Sequence, residues 1–212
     1  MARPSLTRRR LLGLDRSGPP PPATLAGEPL RPWTLPNAIG FLRLSLVPVF
    51  LVIALNSGDG REATAAALYA FIGGSDYLDG LAARLTGQYS RLGTLLDPLT
   101  DRLLVVSGVV VAWHFELLPR WALAVLAARE LVMLLLTRAA LRSGMELKVN
   151  MVGRWAVWPT MFSIFLAMVS VTWVAEVLLY IGLVMTLWAT ALYLRDGFRH
   201  RRSIKPPPSS GT

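Results

Sequence analysis

The amino-acid sequence predicts an all-α, polytopic membrane protein built as a bundle of six transmembrane helices. Three observations carry that prediction. Hydrophobic residues make up 53% of the 212, with a mean hydropathy of +0.47, a composition foreign to an ordinary soluble globule. Six mostly apolar stretches reach the length of about 20 residues that a helix needs to cross the hydrocarbon layer. They lie near residues 38–56, 62–80, 95–114, 119–138, 155–174 and 176–195. The third observation is the placement of charge along the chain.

With the N-terminus in the cytoplasm, 17 of the 22 basic residues fall on the cytoplasmic side, and only Arg61 and Arg120 fall outside. That bias follows the positive-inside rule, and the anionic inner leaflet attracts the same side chains. The expected location is therefore the cell membrane, multi-pass, with both termini cytoplasmic. The net charge of +9 needs no nucleic acid to explain it, and no basic module interleaved with aromatics is present. The absence of cysteine excludes disulfides, thiolate metal sites and a cysteine nucleophile. Arg43, Arg102 and Arg129 fall inside expected spans and call for a reason.

In chain order, residues 1–35 read as a basic tail whose Pro19–Pro22 run favours extended, solvated backbone. Residues 36–198 form the six-helix domain, and residues 199–212 are a second, basic and disordered tail. The first span opens at Leu35-Pro36-Asn37, where proline suits a first helical turn and Asn37 is expected to cap it. The second, 62–80, is rich in alanine and contains Gly73-Gly74, which allows close helix approach. It ends in carboxylates, and the third begins with them across a short 85–93 connection. Spans two and three thus make a hairpin with its polar end in the cytoplasm. The fourth span carries Arg129-Glu130, whereas the fifth and sixth are nearly free of charge and read as scaffold. Trp33, Trp121, Trp155 and Trp173 fall near span ends, where indole rings anchor at the interface. His114 and His200 are solitary and carry no assigned role.

On helices, Asp76 and Asp79 at i, i+3 share a face, as do Asp97 and Asp101 at i, i+4. Four carboxylates within 26 residues repel one another in a low-dielectric site. Hard divalent cations relieve that repulsion, and a pair of them about 3.5–4 Å apart binds a diphosphate. Gly80, Ala83 and Gly93 are small enough to leave room for a ligand, and Arg84 is spaced to reach a phosphate oxygen. The bland alternative pairs the acids with Arg43, Arg84, Arg102 and Arg129 as ion pairs that hold the bundle together.

The run Asp76-x2-Asp79-Gly80-x2-Ala83-Arg84-x8-Gly93-x3-Asp97-x3-Asp101 matches without a gap the signature of the CDP-alcohol phosphatidyltransferase family. Eight fixed positions arise by chance in a chain of this length on the order of once in a hundred million. The resemblance extends to Pro36-Asn37 with Arg43, to Arg129-Glu130-Leu131, and to Gly153-Arg154. It implies six transmembrane helices, usually in a homodimer, and a cytoplasm-facing site for a CDP-linked lipid. It also implies that Asp76, Asp79, Asp97 and Asp101 bind two Mg²⁺ or Mn²⁺ ions and that Asp101 is the catalytic general base. Gly80, Ala83, Arg84 and Gly93 are implied to surround the CDP moiety.

The signature reads the donor, CDP-diacylglycerol, and the acceptor is read elsewhere. The stretches Ser75–Gly80, Ser90–Gly93 and Leu96-Asp97-Pro98 resemble the glycerophospholipid branch, whose members make phosphatidylglycerophosphate or cardiolipin. Users of glycerol 3-phosphate typically place an arginine eight positions after the arginine of the Arg-Glu-Leu run. Here Thr137 stands there, and Arg138 follows about 100° further around the helix. They also carry Gly-Lys where this chain has Gly153-Arg154, which keeps charge but changes geometry. These departures, and the likeness of Leu95–Leu103 to actinobacterial cardiolipin synthases, favour phosphatidylglycerol as acceptor, with glycerol 3-phosphate as the alternative. Arg43, Arg129, Arg138 and Arg154 are the candidate acceptor contacts. A transporter, the distant alternative, would place its charges near the midplane on broken helices, whereas these acids sit at one end of two spans.

Overall fold

The computed structural model describes residue 29, residues 32–142 and residues 151–203. The side chains of Asp79, 137–142, 151–156, 193 and 196–203 fall outside that description, as do most of the two expected tails and the 143–150 connection. The described residues form seven α-helices and no strand: α1 Leu35–Leu55, α2 Ala63–Gly74, α3 Asp76–Thr86, α4 Arg91–His114, α5 Arg120–Arg142, α6 Met151–Val169 and α7 Trp173–Ser203. The chain divides into two compact units, Met1–Leu117 with Met168–Ser170, and Leu118–Ala167 with Val171–Thr212.

In the first unit α1 is the hub, packing on α2, α3 and most extensively on α4. Its inward row of Asn37, Gly40, Arg43, Val47, Phe50 and Ala54 is buried at the i, i+3, i+4 spacing of one helical face. Gly40 faces Leu96 of α4, whose Cδ1 lies 3.6 Å from where a Cβ would stand, an ordinary packing distance. Further along, the buried rings of Phe50 and Tyr69 meet at 5.2 Å between centroids and join α1 to α2. The opposite face of α1, with Phe41, Leu42, Val49 and Val52, is exposed.

The helix starts correct one expectation. Thr34, not Asn37, caps α1, its Oγ1 accepting from the Asn37 backbone N–H at 3.4 Å. Asn37 is fully buried, and its amide is committed elsewhere, as shown below. Ser90 caps α4 by accepting from the Gly93 N–H at 3.0 Å, the pattern expected of a serine just before a helix.

The second expected span is also not continuous. Instead of one helix over 62–80, the chain turns at Ser75 between α2 and α3. The cause is competition for one carbonyl: Ile72 C=O accepts from Ser75 Oγ at 3.0 Å and from Arg43 Nε at 3.1 Å. Side-chain donors placed on a carbonyl in this way weaken the main-chain ladder at that point. The helix that follows runs to Thr86, so the connection to α4 shrinks to residues 87–90, opened by Gly87 in the left-handed region at φ 66°, where glycine has no steric penalty.

Among the described residues, two helices are long and apolar enough to cross a membrane: α1, with hydropathy 2.4, and Trp173–Leu192 of α7, with hydropathy 1.8. Only 28% and 39% of these windows is buried, so neither is a conventional core helix. In α6 the described side chains, Val157–Val169, form a shorter apolar helix, and three of the other expected spans fall short of that criterion for visible reasons. The break at Ser75 leaves α2 with 12 residues, α4 carries Asp97, Asp101 and Arg102, and α5 carries Arg129 and Glu130.

In the second unit α5 packs on α7, and Trp121 stacks on Tyr180 at 5.5 Å. α6 is tied to α7 by Ser163 Oγ donating to Ala175 C=O at 2.6 Å. A Cβ at Gly182 of α7 would lie 2.9 Å from the Thr160 backbone nitrogen of α6. Small residues at such crossings let backbones approach where lipid supplies no hydrophobic drive for helices to associate. Gly182→Ala is expected to destabilise the protein by about 1–3 kcal/mol through overpacking. Gly74→Ala, whose Cβ would meet nothing within 4 Å, is expected to be neutral or slightly stabilising. Thermal unfolding of the two variants in detergent checks the contrast.

Candidate active site

Arg43 is 1% exposed, near the middle of an apolar helix. Its Nε is held by the Ile72 carbonyl, its Nη1 donates to Asp76 Oδ1 at 3.3 Å, and its Nη2 donates to Asp101 Oδ1 at 3.1 Å. One guanidinium from α1 thus gathers the carbonyl at the end of α2, the first residue of α3 and a carboxylate of α4. Burying a charge in this way costs several kcal/mol unless opposite charges and hydrogen bonds satisfy it, and here both do. The turn at Ser75 also places Asp76 in the first turn of α3, where the helix dipole favours negative charge.

A second, neutral tie lies closer to the chain's start. Asn37 Nδ2 donates to Pro32 C=O at 3.1 Å, and its Oδ1 accepts from Ser90 Oγ at 2.7 Å. Ser90 is the cap of α4, so this pair fixes the start of α1 on the start of α4. Gln88 Oε1 adds a contact to the Leu35 N–H at 3.0 Å. A Cβ at Gly93 would lie 2.9 Å from Asn37 Oδ1, so the missing side chain there lets the Asn37 amide approach α4. Ser90 and Asn37 escaped the sequence reading as a pair; the cap position of Ser90 before a helix start was the available signal.

The other expected residues divide into groups. Asp97 lies one turn before Asp101 on α4 and is partly exposed; Asp79 lies on α3, with its side chain outside the described residues. Gly80, Ala83 and Arg84 follow on α3, all partly exposed. The Arg84 guanidinium folds back over its own helix, 5.8 Å from the Tyr77 ring centroid, with Nη1 3.3 Å from where a Cβ at Gly80 would stand. Gly80 therefore makes room for Arg84, in a cation–π arrangement. In the second unit, Arg129 pairs with Glu130 and its Nε donates to Thr190 Oγ1 at 3.2 Å. Arg138 lies on α5 and Arg154 on α6, both with side chains outside the described residues. Of the ion pairs weighed from sequence, the Arg43 and Arg129 pairs form, whereas Arg102 has a buried Nη1 with no hydrogen-bond partner.

Among the described residues, no three acidic or imidazole side chains are gathered tightly enough to cage a cation. The donor chemistry nevertheless suits a hard divalent ion: oxygen donors only, with the Asp76 and Asp101 side chains 50% and 39% exposed and so open to a ligand. Arg43 touches Oδ1 of each carboxylate from the buried side, which fixes the carboxylates without covering them.

Residues 33–188 match the family model for CDP-alcohol phosphatidyltransferases. The chain is 37% identical over 166 residues to the CMP-forming cardiolipin synthase of Streptomyces coelicolor, covering 76% of this chain and 77% of that protein. It is 34% identical over 174 residues to a putative cardiolipin synthase of Mycobacterium tuberculosis, covering 76% and 78%. It is also 30% identical over 198 residues to the CDP-diacylglycerol–glycerol-3-phosphate 3-phosphatidyltransferase of Pseudomonas fluorescens, covering 84% and 99%. A match over that much of the chain, with these relatives aligned over most of their own length, makes this protein a member of the CDP-alcohol phosphatidyltransferase family, a membrane-embedded transferase of phospholipid biosynthesis.

Proposed function

We propose that the protein transfers the phosphatidyl group of CDP-diacylglycerol to a hydroxyl of phosphatidylglycerol, forming cardiolipin and releasing CMP. The observation that carries the reading is the Arg43 clamp: Asp76 and Asp101, the first and last residues of the signature, stand on different helices and share one guanidinium. The acceptor rests on the relatives named as cardiolipin synthases and on Thr137 standing where glycerol-3-phosphate users carry arginine. Glycerol 3-phosphate remains the second reading, supported by the Pseudomonas fluorescens relative.

Asp101 accepts the proton of the acceptor hydroxyl. The freed oxygen attacks the lipid-side phosphorus, the bond from that phosphorus to the bridging oxygen breaks, and CMP leaves with that oxygen. The proton then passes from Asp101 to solvent. Asp76, Asp79, Asp97 and Asp101 hold two divalent ions, Mg²⁺ or Mn²⁺, which supply neutralising charge for the diphosphate. Gly80, Ala83, Arg84 and Gly93 surround the CDP moiety. Arg43 keeps Asp101 oriented toward the acceptor. In this reading all six spans cross the cell membrane with both termini cytoplasmic, which the distribution of basic residues supports, and the protein works as a homodimer.

Asp101→Asn is expected to lower turnover by about 10²–10⁴-fold in a protein that still extracts as a folded species; turnover near wild type removes Asp101 from the role of base. Chelation of divalent metal is expected to abolish activity and added Mg²⁺ or Mn²⁺ to restore it. Given CDP-diacylglycerol with either acceptor, the purified protein is expected to yield cardiolipin from phosphatidylglycerol, identified by mass. Product from glycerol 3-phosphate alone assigns the other acceptor.

A further inference from the structure

Three arginines lie within the expected spans, and two of them have carboxylate partners, Arg43 and Arg129. Arg102 differs: its Nη1 is buried and makes no hydrogen bond among the described residues, although the residue as a whole is partly exposed. A guanidinium nitrogen buried without an acceptor is costly and marks a place where an anion belongs. Arg102 follows Asp101 directly, about 100° around α4 and about 1.5 Å along it. Of its neighbours at i−4, i−3, i+3 and i+4, Val105 is buried, whereas Pro98, Leu99 and Val106 are exposed, the latter two at 47% and 44%. The flank away from the Arg43 clamp is therefore open and apolar. Helical side chains lean toward the helix N-terminus, which in α4 is the end that carries Gly93 and Asp97.

We infer that Arg102 is a specificity-determining residue that binds the phosphate of the acceptor as it reaches Asp101 along this apolar flank of α4. A phosphodiester in the headgroup layer presents two anionic oxygens, which a guanidinium engages through two parallel N–H donors. The acceptor's phosphate is anchored beside the base while its free hydroxyl remains available to Asp101. This inference rests on the proposed reaction and adds a contact that separates acceptor binding from donor binding.

The test measures KM for phosphatidylglycerol at saturating CDP-diacylglycerol, and KM for CDP-diacylglycerol at saturating phosphatidylglycerol, in mixed micelles. Arg102→Gln is expected to raise the acceptor KM by about 10- to 100-fold and to leave the donor KM within twofold. Arg102→Lys, which keeps the charge but loses the fork, is expected to fall between. The thermal midpoint of both variants is expected to hold or rise, since no protein partner is lost; a structural ion pair would lower it. An unchanged acceptor KM, equal rises in both KM values, or a lowered midpoint overturns the inference. If wild-type protein uses glycerol 3-phosphate and not phosphatidylglycerol, the proposed acceptor is wrong, and the same variants are read on glycerol 3-phosphate. A selective rise there sustains the phosphate contact, and no rise overturns it.

Discussion

A guanidinium buried to 1% exposure inside an apolar helix cannot be left unsatisfied, and the first half of this molecule is arranged around satisfying it. Arg43 requires an acceptor for Nε and carboxylates for its two terminal nitrogens. α2 supplies the first by ending at Gly74, with the Ile72 carbonyl turned to side-chain donors. α3 and α4 supply the others through Asp76 and Asp101. The helix break is thus part of the same arrangement as the ion pairs, and it sets where the signature begins. Because the carboxylates are 50% and 39% exposed, solvent screens part of the loss when one partner is removed, which falls below the about 3–5 kcal/mol of a fully buried pair.

The Asn37–Ser90 bond complements the clamp. It lies less than two helical turns before Arg43, is neutral and ties the starts of α1 and α4, whereas the clamp ties their middles. Two contacts along one helix pair fix its register as well as its proximity. Gly93, beside the Asn37–Ser90 bond, allows the close approach that this contact needs. The carboxylates remain partly exposed on the other side of this lock, so the polar interactions that build the fold do not close off the groups proposed to do the chemistry.

Much of this was readable from the residues. The spacing of Asp76, Asp79, Asp97 and Asp101 identified the family, and hydropathy placed helices close to α1, α4, α5 and α6 and the start of α7, which runs on to Ser203 beyond the expected end at residue 195. The misreadings share one physical origin, polar contacts between residues far apart in the chain. Local pattern cannot show that Arg43 reaches the carbonyl of Ile72, 29 residues on, so the span over 62–80 read as continuous. The same holds for Asn37, which looks like a cap beside Pro36 until Ser90, 53 residues away, claims its side-chain oxygen.

The most direct test is a double-mutant cycle on folding stability in detergent, comparing Arg43→Gln, Asp101→Asn and the two combined. If the clamp organises the fold, each single change is strongly destabilising, while the double variant loses much less than their sum, with a coupling of about 1–3 kcal/mol. Losses that simply add, within about 0.5 kcal/mol, would contradict the account, because the two side chains would then be stabilising the protein independently.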